Sequence, residues 1–334
     1  MDISVIIPTR NRAKLLSQML TALARQQLSG RDRYQVIVID NGSTDITPQV
    51  AADAQAYFDD FVYHTEKTPG LHAGRHAGLR LACGEICVFC DDDIVPSATW
   101  LSGIIDGFLI PRVEIVTGPC RPLYDVPPPD WVECLREKFE TGWCLYDYSL
   151  LDLGSAGQYI PPELAFGCNF AIRRQAVVQC GGFLPDSMPT ELLEYRGEGE
   201  TALSQSVAAA GRRAFYSPDA SIEHVVSRER LTPEYIYKRA YSEGITHSYR
   251  LVRNNGARLD FPEECVPGMV TVPPPSAGED AWVKAGKQRG FIDGFWFHQR
   301  RLHENPKLLE WVLRPTYLDH EMVDVPSSAC GGCK

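Results

Sequence analysis

Three short apolar runs, each leading into polar residues, constrain this chain more than any other feature. Ile3-Ser4-Val5-Ile6-Ile7 stops at Pro8. Val36-Ile37-Val38-Ile39 stops at Asp40. Ile86-Cys87-Val88-Phe89 leads into Asp91-Asp92-Asp93. Their length and β-branched content predict strands buried on both faces, as in a parallel sheet. Between the first two runs, Leu15, Leu16, Met19, Leu20 and Leu23 recur at helical spacing. Ala73, Ala77 and Leu81 mark a further helix, and Ile115-Val116 a fourth strand. Strands alternating with helices predict an α/β fold with right-handed crossovers. Such sheets hold ligands beyond the carboxyl ends of their strands. A site is therefore expected at Thr9-Arg10-Asn11, at Asp40 and at Asp91-Asp92-Asp93.

The second half reads less regularly. Residues 119–165 are rich in proline and aromatics and predict a long excursion with one helix. Residues 165–225 return to mixed strand and helix. Residues 232–255 and 281–313 predict helices, separated by a proline-rich linker at Pro273-Pro274-Pro275, and the tail from Ser327 to Lys334 is expected to fray.

Net charge narrows the partners. Lys+Arg 33 against Asp+Glu 43 gives −10, which lacks the basic footprint of a nucleic-acid binder. No stretch reaches the roughly 18 apolar residues of a membrane span. The start, Met1-Asp2-Ile3-Ser4, lacks the basic region of a signal peptide. A soluble cytoplasmic protein is expected, at most peripheral to the inner membrane face. Eleven cysteines, an odd number scattered through apparent strands and helices, predict free buried thiols rather than a disulfide framework.

The acidic triplet carries the sharpest chemistry. Three adjacent carboxylates at the mouth of a buried strand repel one another unless a cation neutralises them. A hard divalent ion, which commonly bridges carboxylates to diphosphate oxygens, is the natural candidate. The plain alternative is a solvated acidic turn. Asp40, also at a strand end, either accepts hydrogen bonds from a ligand or caps a turn.

Four blocks together resemble the family-2 glycosyltransferases of GT-A fold. They are Val5-Ile6-Ile7-Pro8-Thr9-Arg10-Asn11-Arg12, Val38-Ile39-Asp40-Asn41-Gly42-Ser43-Thr44-Asp45, Gly70-Leu71-His72-Ala73-Gly74-Arg75-His76-Ala77-Gly78-Leu79, and Gly84-Glu85-Ile86-Cys87-Val88-Phe89-Cys90-Asp91-Asp92-Asp93. Order and number make the match specific. It covers residues 2–118 well and runs more loosely to about 255.

The resemblance implies a Rossmann-like, mostly parallel sheet flanked by helices, and an inverting, nucleotide-sugar-dependent transfer. Residues 1–118 would form the nucleotide-binding half, 119–225 the acceptor-side half, 226–326 a helical C-terminal extension and 327–334 a flexible tail. Pro8, Thr9, Arg10 and Asn11 would line the nucleotide pocket. Asp40 would read the base, most often uracil. Arg75 would face the nucleotide or its phosphates, with His76 standing where the family has Asn. Asp91 and Asp93 form the D-x-D pair, Asp93 contacting a Mn²⁺ or Mg²⁺ ion and Asp92 the ribose.

Two later blocks extend the resemblance. Gly167-Cys168-Asn169-Phe170-Ala171-Ile172-Arg173-Arg174 resembles the strand beneath the sugar and acceptor, which places Asn169 on the donor. Gly197-Glu198-Gly199-Glu200-Thr201-Ala202-Leu203 resembles the acidic helix start that carries the catalytic base. Glu200 is favoured over Glu198; the plain alternative is two glutamates complementing a helix N-terminus. His224, after a further strand, would close the metal shell, or be structural. The implied partners are a nucleotide-sugar donor, with a UDP-sugar favoured, and a saccharide acceptor that is free or lipid-linked. Transfer to a polyprenyl phosphate or peptide, and nucleotide-sugar binding without catalysis, are the alternatives.

Other signals weigh less. Cys83, Cys87 and Cys90 have the spacing of an iron–sulfur motif, but residues three apart on a strand point to opposite faces. Cys330-Gly331-Gly332-Cys333 has no second pair for zinc. The aromatic and basic stretch from Gly290 to Arg301 suits a helix packed on the catalytic domain better than a membrane surface.

Overall fold

The computed structural model describes residues 2–28, 33–259 and 277–318. In chain order it opens with β1 (Asp2–Thr9), α1 (Ala13–Leu23), β2 (Arg33–Asp40), α2 (Thr47–Ala54), β3 (Phe61–Thr65), α3 (Leu71–Leu81) and β4 (Ile86–Cys90). It continues with β5 (Ile94–Pro96), α4 (Trp100–Phe108) and β6 (Val113–Thr117). Five short strands follow: β7 (Cys120–Tyr124), β8 (Glu137–Lys138), β9 (Trp143–Leu145), β10 (Leu150–Asp152) and β11 (Gln158–Ile160). Then come β12 (Asn169–Arg173), α5 (Arg174–Gln179), α6 (Glu200–Ala209), β13 (Arg213–Tyr216) and β14 (Ile222–Val226). Three helices close the described chain: α7 (Pro233–Asn255), α8 (Glu279–Glu304) and α9 (Pro306–Val312).

The main sheet has the order β11-β13-β6-β12-β4-β1-β2-β3. Its centre is parallel, with β12 antiparallel between β4 and β6. The central strands are as apolar as their neighbours on both faces demand: Val36 to Ile39 and Ile86 to Phe89 are fully buried. β1 runs on through Pro8. The Thr9 carbonyl accepts from Asn41 N on the β2 side, so the neighbouring Pro8 nitrogen faces the β4 side, where pairing ended at Ile6. A missing N–H costs no ladder bond there. α3 packs so close on β1 that a Cβ at Gly78 would meet Ile6 Cγ2 at 2.3 Å.

A second sheet, β5-β14-β7-β10-β9-β8, replaces the excursion with one helix expected over 119–165. Among the described residues that stretch holds strands and 3₁₀ turns but no α-helix. Pro119, Pro122, Pro127 to Pro129, Pro161 and Pro162 interrupt any helical ladder there. The consequence is functional, because this sheet brings β14 and His224 beside the end of β4.

The expected helix over 281–313 is two helices. Pro306 cannot donate to the turn before it, and Asn305 caps the new helix by accepting from Lys307 N. α7 and α8 run in the same direction, since Tyr237 meets Asp293 and Ser248 meets His298. They lie so close that a Cβ on Gly294 would stand 1.9 Å from the Tyr241 carbonyl oxygen. The aromatic stretch from Gly290 is therefore mainly a packing face. Among the described residues no helix is long and apolar enough to cross a membrane. The linker at Pro273 to Pro275, the tail from Ser327 and the Cys330/Cys333 pair lie outside the described residues.

Three buried histidines tie this fold to pH. Burial lowers His72 to about 4 and both His76 and His298 to about 3, against an ordinary 6.5. Below pH 6.5 the unfolded chain binds protons that the folded chain refuses. Their stabilisation is thus complete above pH 6.5 and is lost as pH falls toward 4, at up to about 1.4 kcal/mol per pH unit for each histidine. We expect urea midpoints to drop between pH 7 and pH 5. A His298→Asn variant should show a shallower drop; an equal drop would contradict the assignment.

Candidate active site

The first cavity opens where β1 and β4 end. It holds about 340 Å³ and is lined by Pro8, Thr9, Arg10, Arg12, Asn41, the start of α3, Asp91 to Asp93, Ser187, Pro189 and Arg230. Parallel strands bring their carboxyl ends to one rim, which puts Thr9 beside the triplet. The Thr9 hydroxyl donates to Asp92 Oδ2 at 2.7 Å. Arg12 Nη1 reaches Asp92 Oδ1 at 3.0 Å and Asp93 Oδ2 at 3.1 Å. Arg230 Nη2 donates to the same Asp93 oxygen at 2.9 Å.

Asp91, Asp93 and His224 form a metal-ligand set. One ligand atom from each lies within 4.8 Å of the others. His224 Nε2 is 3.3 Å from Asp93 Oδ1, and that buried oxygen makes no hydrogen bond. The other ring nitrogen, Nδ1, is held 2.9 Å from the Tyr148 carbonyl. This fixes the ring with Nε2 toward the aspartates, the usual arrangement of an imidazole ligand. Two carboxylates and an imidazole, around an oxygen whose near neighbour is that imidazole, fit a Mn²⁺ or Mg²⁺ ion.

The electrostatics are strongly perturbed. Burial alone would raise Asp93, but His224, Arg230 and Arg12 outweigh it and hold the carboxyl well below the usual range. Burial pushes Asp92 up to about 6 against the pull of Arg12. Burial works to lower His224, and Cys168 and Asp93 more than reverse it, to about 9. Divalent-ion binding at this set must displace the His224 proton.

A second cavity of about 350 Å³ lies between the start of α6 and α7. Glu163, Phe166, Asp186, Arg196, Glu198, Glu200, Arg239, Glu243, His247 and Arg250 are among its lining residues. Glu200 opens α6. Its Oε1 accepts from Gly167 N at 2.9 Å and its Oε2 from Arg75 Nη1 at 3.1 Å. The other Arg75 nitrogen donates to the Gly167 carbonyl at 3.2 Å and stands 3.8 Å from Asp91 Oδ1. One buried guanidinium, stacked 5.0 Å from the Phe183 ring centre, thus joins the metal-ligand set to Glu200.

Several expected residues are committed to partners within the chain. Arg75, expected on the nucleotide, is 2% exposed, lines neither cavity and bridges Asp91 to Glu200. Asn169, expected on the donor, is fully buried, with Oδ1 accepting from Trp100 Nε1 and Nδ2 donating to the Ala220 carbonyl. Its side chain ties three elements together and has no face on either cavity. Asn11, with φ +53°, pins the first turn to the second by accepting from Thr44 N at 2.7 Å. Asp40 accepts from Ser43 N at 2.7 Å and from the Tyr63 hydroxyl at 2.6 Å, which orders the turn behind Asn41. Glu198 is paired with Arg250. Arg12 and Arg230 were not among the expected site residues. Arg12 stands one position past Asn11 in a recognisable block; Arg230 follows β14 with no pattern to mark it.

Comparison with known proteins bears on the family and the fold. The model of the Glycosyl transferase family 2 matches residues 4–177. Glycosyltransferase AglE of Haloferax volcanii is 31% identical over 117 residues, covering 35% of this chain and 38% of its own. Validoxylamine A glucosyltransferase of Streptomyces hygroscopicus is 26% identical over 205 residues, 55% of this chain and 47% of its own. The chain thus spans less than half the length of these two relatives. Succinoglycan biosynthesis protein ExoM of Rhizobium meliloti is 25% identical over 237 residues, 70% of each chain. Among solved structures, the mannosyltransferase PcManGT of Pyrobaculum calidifontis, in complex with GDP-Man and Mn²⁺, matches at TM-score 0.52 and 20% identity, over 98% of this chain and 77% of that one. TarS 1-349 of S. aureus with UDP-GlcNAc matches at TM-score 0.51 and 14% identity, over 91% and 92%. These likenesses show the GT-A fold. With its family match spanning just over half the sequence, the chain belongs to glycosyl transferase family 2.

Proposed function

We propose that this glycosyltransferase moves a sugar from a UDP-sugar to an acceptor hydroxyl, with inversion at the anomeric carbon. The observation that carries the reading is the run of contacts Asp91–Arg75–Glu200, which links the metal-ligand set in one cavity to a carboxylate in a second of similar volume. The diphosphate belongs on the first side, where Arg10, Arg12 and Arg230 line the cavity. Asp91, Asp93 and His224 would hold the divalent ion, Mn²⁺ or Mg²⁺. When bound, that ion supplies positive charge against the departing diphosphate.

Glu200 faces the second cavity and takes the acceptor's proton. The Gly167 N–H and Arg75 occupy one direction on each carboxylate oxygen and fix its orientation. Attack from this side is opposite the leaving group, so one displacement inverts the centre. The second cavity favours a hydroxyl of a neutral saccharide. Glu163, Asp186, Glu198, Glu200 and Glu243 line it against Arg196, Arg239 and Arg250. Five carboxylates against three guanidiniums disfavour a polyprenyl phosphate. The relatedness to a succinoglycan biosynthesis protein supports a growing surface glycan as acceptor.

A thermal-shift series of UDP-, GDP-, dTDP- and CMP-sugars, with and without Mn²⁺, tests the donor. The reading predicts the largest stabilisation with a UDP-sugar plus Mn²⁺, and slow release of UDP without acceptor. No shift with any donor would overturn it.

A further inference from the structure

The acidic triplet is already neutralised by the chain's own cations. Three carboxylates, Asp91, Asp92 and Asp93, face three guanidiniums, Arg12, Arg75 and Arg230. Two of these converge on one atom: Arg12 at 3.1 Å and Arg230 at 2.9 Å share Asp93 Oδ2. An ion arriving alone at Oδ1 meets the charge of both guanidiniums, held on the other oxygen of the same carboxylate. That repulsion is poorly screened in a site where Asp93 is only 4% exposed.

A nucleoside diphosphate changes that balance. It brings about two to three negative charges and phosphate oxygens shaped for guanidinium forks. Arg12 and Arg230 are free to turn toward it. Both line the first cavity, and their side chains are 44% and 23% exposed, whereas the Arg75 side chain is 2% exposed and locked on Glu200.

We propose that Arg12 and Arg230 are exchangeable counter-ions: they guard Asp93 while the donor is absent and pass to the diphosphate when it binds. Ion and nucleotide then bind cooperatively, and each raises the other's affinity by the same factor. This rests on the nucleotide-donor reading for its second half. The first half, competition between guanidinium and ion, does not.

Mn²⁺ binding, read from the free-ion electron paramagnetic resonance signal, tests both halves on the full chain with and without UDP. For the wild type we expect UDP to tighten Mn²⁺ binding about tenfold or more. Arg12→Gln and Arg230→Gln, singly and together, should tighten binding of Mn²⁺ alone, weaken UDP, and shrink the tenfold coupling. Arg230→Lys, which keeps the charge, should behave like the wild type toward Mn²⁺ alone. Circular dichroism verifies that each variant is folded. Mn²⁺ binding that is unchanged or weaker in both Gln variants would overturn the proposal. If UDP fails to bind the wild type, the donor reading falls, while tighter Mn²⁺ binding in the Gln variants would still support the competition.

Discussion

A Glu200→Gln variant should bind UDP and Mn²⁺ as the wild type does and lose about 10²–10⁴-fold in kcat. The amide has nearly the same shape and still offers one acceptor to the Gly167 N–H. It cannot take a proton, and it returns no charge to Arg75, 3.1 Å away. The loss should therefore fall on kcat rather than on the KM of the donor, which the proposed function assigns to the other cavity. Glu198→Gln separates the two glutamates. Its carboxylate is committed to Arg250 and only 5% exposed on its side chain, so its removal should act mainly through stability and acceptor KM. Steady-state kinetics with both substrates, alongside UDP thermal shifts, read the difference. A Glu200→Gln enzyme within tenfold of wild-type kcat would remove Glu200 as the base, and a larger loss in Glu198→Gln would install its neighbour.

Asp93→Asn carries the other large effect. The substitution keeps size and one acceptor oxygen but deletes the charge on which Arg12, Arg230 and His224 converge. Removing one partner from a buried ionic cluster costs about 3–5 kcal/mol, so a lower melting temperature is expected without ligand. The informative quantity is the extra stabilisation that Mn²⁺ adds in the presence of UDP. It should vanish, and transfer should fall about a thousandfold, in line with loss of electrostatic stabilisation of the leaving group. If Asp93→Asn kept the full Mn²⁺-dependent shift, the ion would have to sit elsewhere.

Much of the architecture was legible because buried parallel strands leave a plain signature. Val36 to Ile39 and Ile86 to Phe89 are apolar without alternation, and both lie in strands of the main sheet paired on each side. The polar residues that end them meet at one rim for a topological reason, so Thr9 and the triplet were readable as neighbours. The second sheet was not legible. β8 has two residues and β5, β9 and β10 three each, too short for any periodicity to register. His224 was singled out through the resemblance as a residue after a strand; it lies within β14 instead, and its convergence with Asp91 and Asp93 depends on that sheet.

Side-chain roles were harder to read than positions. Arg75 lies in the expected block yet turns inward, because α3 is buried from His72 to Leu79 and a guanidinium there must find internal acceptors. Glu200, the Gly167 carbonyl and Asp91 provide them. Asn169 likewise stands where expected, but at zero exposure its amide is consumed by Trp100 and Ala220. Arg230 follows β14 on a single 3₁₀ turn and reaches Asp93 across 137 positions of sequence, a contact no local pattern encodes.

The most direct test of the whole account is a crystal structure with Mn²⁺ and UDP, with anomalous scattering to locate the ion. The account predicts a single strong peak in contact with Asp93 Oδ1 and His224 Nε2, and diphosphate oxygens reaching both the ion and Arg230. Diphosphate bound away from the end of β4, or an ion held by neither Asp93 nor His224, would contradict it.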